Sequence, residues 1–99
     1  MMERENLIPV NEFCAFHRIT YNFISNLSDA GLIELIIIED SQYLQQDAIQ
    51  DIEKLVRLHT ELDINPEGIE AITHLLHRMH MMQQQIQVLQ QKLDLYEEQ

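Results

Sequence analysis

Thr20-Tyr21-Asn22-Phe23-Ile24-Ser25-Asn26-Leu27-Ser28-Asp29-Ala30-Gly31-Leu32-Ile33 is the stretch that sets the architecture of this chain. Thr20 is a good N-cap, because its hydroxyl can accept a hydrogen bond from a first-turn amide. Phe23, Ile24, Leu27 and Ala30 then recur at spacings of three and four, on one stripe of a helix. Gly31 ends it, since the left-handed residue that closes a helix suits glycine. Upstream, Leu7-Ile8-Pro9-Val10 reads as a short extended lead-in, and Asn11 as the cap of a helix through His17 with Phe13, Cys14 and Phe16 on its inner face. Two short helices joined by a tight turn predict a helix-turn-helix unit.

Downstream, Leu32 to Ile38 is the one run rich in β-branched residues. With Glu39-Asp40-Ser41 as its turn and Gln42 to Leu44 as the return, it predicts a hairpin, or wing. A third helix is expected from about Gln46 to Asp63, burying Ile49, Ile52, Leu55, Val56 and Leu62 and exposing Asp51, Lys54 and Arg57. Asn65-Pro66-Glu67 starts a fourth: a capping side chain, a proline where a missing N–H does no harm, and an acid at the positive end of the dipole. From there Ile72, Leu75, Met79, Met82, Ile86, Leu89, Leu93 and Tyr96 alternate spacings of three and four without a slip, the heptad rule of a coiled-coil seam. One small domain cannot bury that stripe, so a homodimer is expected. The chain divides into a head with the third helix, residues 1–63, and a dimerising helix, residues 64–99. The fold class is mainly α.

Ninety-nine residues hold one core, and 45% hydrophobic residues with two Gly and two Pro favour a folded, helical chain. Six Lys and Arg face 17 Asp and Glu, a net charge of -11. The deficit is general: seven acids and two bases in residues 1–44, ten acids and four bases in residues 45–99. Specific DNA binding draws on roughly 6 to 10 phosphate contacts, so nearly every cation would have to share one surface. An acidic chain suits a basic partner instead. Met1 to Asn6 is charged with no long apolar run behind it, which predicts neither signal peptide nor membrane span. A single cysteine, Cys14, allows no internal disulfide, and a reducing cytoplasm is the expected compartment.

The order of elements resembles the MerR-type winged-helix regulators. Glu12-Phe13-Cys14, Leu27 with Gly31-Leu32-Ile33-Glu34, and above all Arg57-Leu58, Glu61-Leu62-Asp63-Ile64-Asn65 and Gly68-Ile69 are similar to the CbpM family of chaperone modulators, over roughly residues 7 to 95. The resemblance implies a MerR-like winged helix-turn-helix head that binds the J-domain of a DnaJ-like (CbpA-type) co-chaperone and lowers its stimulation of Hsp70. It also implies where to look. In MerR-type regulators the second helix and wing carry the Arg and Tyr residues that contact DNA, and here Thr20 to Asp29 holds no cation. The alternative is a MerR-type transcription regulator binding DNA as a dimer.

Glu12, Asp29, Glu34, Glu39 and Asp40 are the candidate partner-facing acids, with Tyr21 and Tyr43 as candidate anchors. Each acid taken singly reads better as solvated surface, while the group as a whole reads as functional, since the bases are missing where MerR-type regulators carry theirs. His74, His77 and His80 stand three apart beside Met79, Met81 and Met82, a spacing that can pair metal ligands, although both seam methionines belong to the heptad. Cys14 one turn before His17 has the spacing of an activated thiol, but a core cysteine of the first helix is the better reading. No phosphate loop, paired catalytic carboxylates or Ser/His/Asp arrangement is present, so neither an enzyme nor a cofactor is expected. Residues flanking the seam, Leu76, Arg78, Gln83, Gln85, Gln90 and Lys92, are mostly neutral and leave strand orientation open, while resemblance to MerR-type regulators favours antiparallel.

Overall fold

The computed structural model describes residues 6–97; the readings of Met1 to Glu5 and of residues 98–99 lie outside them. The elements run β1 (Leu7–Pro9), α1 (Val10–His17), α2 (Tyr21–Asp29), β2 (Ile36–Ile38), β3 (Ser41–Gln45), a 3-10 turn (Gln46–Ala48), α3 (Ile49–Leu62) and α4 (Pro66–Glu97). The head is a helix-turn-helix with a wing, as the pattern predicts. The lead-in is more than a connector, however. It pairs antiparallel with β3 (Leu7 with Gln45, Ile8 with Leu44, Pro9 with Tyr43), and the sheet has three strands in the order β1-β3-β2. Pro9 is tolerated there because β1 is an edge strand.

All three short helices of the head close in the same way. A residue at positive φ is followed by an apolar one whose N–H reaches five or six residues back: Arg18 (φ 56°) then Ile19 to the Cys14 carbonyl, Gly31 (φ 79°) then Leu32 to Leu27, Asp63 (φ 57°) then Ile64 to Leu58. Only the middle closure uses glycine. The Leu32 amide is spent on this bond, so strand pairing starts at Ile36 rather than Leu32, and Leu32, Ile33 and Leu35 pack against the core instead. Glu39 (φ 50°) and Asp40 (φ 66°) form the two-residue wing turn, whose positive φ at both positions matches the twist of a hairpin.

Inside lie Val10, Phe13 and Cys14 from α1, Phe23, Ile24 and Leu27 from α2, Leu44 from β3, Ile52 and Val56 from α3, and Ile69 from α4. Two expected core residues fall outside. Phe16 is 82% exposed and Leu62 64%. α1 begins two residues earlier than expected, at Val10, with Pro9 rather than Asn11 before it. Val10, Phe13, Cys14 and His17 then form the i, i+3, i+4, i+7 stripe, which turns Phe16 to solvent. At the end of α3 the closure brings in Ile64, half-buried, in place of Leu62.

The joint to α4 is firmly built. His59 Nδ1–H donates to the Ile64 carbonyl (2.9 Å) while its ring stacks on Phe23 at 4.2 Å. Asn65 Oδ1 accepts from the Gly68 amide (2.8 Å), the cap that its position before Pro66 predicts. A side chain on Gly68 would lie 2.7 Å from Ile64 Cγ2, so glycine here lets the α3–α4 turn come close. The first turns of α4 belong to the head's packing: Ile69 is fully buried and Ile72 half-buried. Beyond them every residue from His74 to Glu97 is exposed.

Candidate protein-binding surface of the head

Between Asn6 and Glu53 the one Lys or Arg is Arg18, against Glu12, Asp29, Glu34, Glu39, Asp40, Asp47 and Asp51. α2, held by Thr20 Oγ1 accepting from the Phe23 amide (3.1 Å), presents Tyr21, Asn22 and Asn26 outward. Phosphates would meet no positive side chain on it.

The fold gathers four of the seven candidate partner-binding residues around one cleft. Glu12 from the first turn of α1, Tyr21 from the start of α2, and Asp40 and Tyr43 from the wing line an open hollow of about 620 Å³ with Asn11 and Gln42. They meet because the N-termini of α1 and α2 sit beside the wing, a proximity created by pairing β1 with β3. Tyr21 is about half exposed, at 48%, and Tyr43 half-buried. The other three candidates lie apart from this lining. Glu34 lines a small recess with Leu32, Asp51 and Leu55; Asp29 ends α2; Glu39 belongs to the wing turn but not to the cleft wall.

Phe16, expected on the inner face of α1, is exposed. Its ring meets His17 edge-on at 5.1 Å, and His17 Nε2 lies 3.3 Å from Glu53 Oε2, linking α1 to α3. The signal that could have found it is the Val10-Phe13-Cys14-His17 stripe.

The remaining chemistry-bearing groups are dispersed. Cys14 is buried, its thiol donates weakly to the Thr20 carbonyl (3.9 Å), and burial pushes its pKa up, against thiolate formation. His74, His77 and His80 are exposed on α4, and among the described residues no three His, Cys, Asp or Glu gather as a metal set. No described helix is long and apolar enough to cross a membrane.

α4 runs 32 residues, about 48 Å at 1.5 Å per residue. Leu75, Met79, Met82, Ile86, Leu89, Leu93 and Tyr96 of its seam are each more than half exposed. Neither a curated protein nor a solved structure matches the chain. The family model of the MerR HTH family regulatory proteins matches residues 8–91, which spans β1, the helix-turn-helix, the wing, α3 and most of α4. The chain therefore belongs to the MerR HTH family of regulatory proteins.

Proposed function

We propose that this head is a protein-binding module for a basic partner, the J-domain of a DnaJ-like (CbpA-type) co-chaperone. By covering the J-domain's basic helix, the module lowers its stimulation of Hsp70. The observation that carries this reading is the cleft where Glu12 and Asp40 stand with Tyr21 and Tyr43, beside an α2 free of cations. Carboxylates supply attraction to a cationic helix, and half-exposed tyrosines are the residues that anchor interfaces. The CbpM-like pattern from Arg57 to Ile69 supports the same partner. The protein then acts in the cytoplasm, without catalysis or cofactor, as a homodimer through the α4 seam.

The test is calorimetric titration of the protein against its host's J-domain. Affinity should fall by about tenfold or more between about 0.1 M and about 1 M salt, as screening shortens the field. It should fall by a similar factor, about tenfold, when Glu12→Lys and Asp40→Lys are combined. Absence of a complex with the J-domain removes the reading. Family membership favours a second reading, a dimeric transcription regulator, and a gel shift at physiological salt separates the two. A specific duplex retained there replaces the first by the second.

A further inference from the structure

At the far end of α2 from the cleft, Ala30 and Leu32 face the first turns of α4 across an open groove of about 640 Å³, lined from α4 by Glu67, Glu70, Ala71 and His74 among others. Its floor is apolar and its α4 side carries two exposed carboxylates. A second source of negative potential lies at the same end. α2 finishes on Asp29 with no basic residue in its last turn, so the negative end of its dipole is uncompensated just before Ala30.

None of the heptad-seam residues lines this groove. The groove also has an extension. Glu67, His74, Met81, Val88 and Leu95 stand seven apart and share one side of α4, and the last three are 50%, 49% and 64% exposed. A dimer formed along Leu75, Met79, Met82 and their successors leaves this side open, because it is a separate stripe of the helix. An apolar floor with an acidic rim is complementary to one kind of helix, apolar on one face and basic on the other.

We propose that this groove docks a cationic amphipathic helix of another protein. The site is distinct from the wing cleft, at the opposite end of α2, and stands on its own residues whether or not the cleft binds a J-domain.

The probe is a labelled synthetic helix of about 18 residues, five turns, with Leu on one face and Lys on the other. It is titrated into the full-length protein by fluorescence anisotropy. Ala71→Arg, which fills the groove with a like charge, and Glu70→Lys, a fully surface change, should each weaken the probe by about tenfold or more. Far-UV circular dichroism checks that both variants fold. Glu12→Lys with Asp40→Lys should leave probe affinity within about twofold, since those charges sit elsewhere. The proposal is overturned if Ala71→Arg and Glu70→Lys bind the probe like the parent, or if the cleft variant alone loses it. It is overturned as well if the protein sediments as a tetramer that Ala71→Arg returns to a dimer, because a second copy then fills the groove. A J-domain titration run in parallel keeps the two proposals apart. Loss of the J-domain complex with the probe retained strikes the reading of the cleft alone.

Discussion

The head and the far half of α4 are built on opposite principles. In the head, three short helices each end in a hydrogen-bonded turn and contribute to one wholly apolar core. From His74 onward every described residue of α4 is exposed, and most of its large apolar residues are about half exposed or more. Short helices survive in the head because tertiary packing supplies what propensity does not. Isolated helices as short as α1 and α2, eight and nine residues, are marginal in water; for the exposed half of α4 the corresponding packing is what the proposed dimer would supply. Ile69 and Gly68 are where one regime passes into the other.

The largest expected effect lies in the exposed half. If α4 dimerises as proposed, Ile86→Asp with Leu89→Asp puts four charges into a seam whose buried side chains are worth about 1.5 to 3 kcal/mol each, and should raise the dimer dissociation constant by at least about three orders of magnitude. Ultracentrifugation should then show monomers, and circular dichroism a loss of helix confined to α4. A dimer of unchanged strength would mean that copies meet elsewhere. Leu27→Ala, at the fully buried centre of the head, should cost about 2 to 5 kcal/mol in chemical denaturation without weakening the seam. If dimer affinity dropped equally, the two regions would fold as one cooperative unit rather than two.

At the joint, Gly68→Ala gains helix propensity but drives a methyl to 2.7 Å from Ile64, and a net loss of about 1 kcal/mol is expected. A stabilised variant would show that Ile64 yields freely. The smallest effect is alkaline. Burial keeps the Cys14 thiol protonated above its ordinary value of 9.0, while the unfolded chain ionises there. The unfolded state then binds fewer protons, so stability falls as pH rises through and beyond that value. Cys14→Ala should remove this part of the slope between about pH 8 and about pH 10. Parallel stability profiles for parent and variant would show that Cys14 plays no part in it.

Much of this arrangement is written in neighbouring residues. Thr20 caps α2 and Asn65 caps α4 as their positions predict, Gly31 closes α2, and the acids that deny α2 a grip on phosphate are counted directly from the chain. Each of these depends on residues within one or two helical turns. Arg18 and Asp63 escaped because neither is the glycine usually found at a left-handed closure, and only the backbone reveals their φ. α1 starts two residues ahead of the position that an Asn11 cap predicts, and the added Val10 joins Phe13 and Cys14 on the inner stripe, which leaves Phe16 to solvent.

The candidate surfaces divide along the same line. That the head is acidic and lacks cations on α2 follows from composition and order alone. That Glu12, Tyr21, Asp40 and Tyr43 meet in one cleft while Glu67 and Glu70 face Ala30 across another follows from β1 crossing to β3 and α4 returning to α2. Local periodicity and caps are short-range, so residue order is enough to specify them; the meeting of segments distant in the chain depends on which faces the core has already claimed.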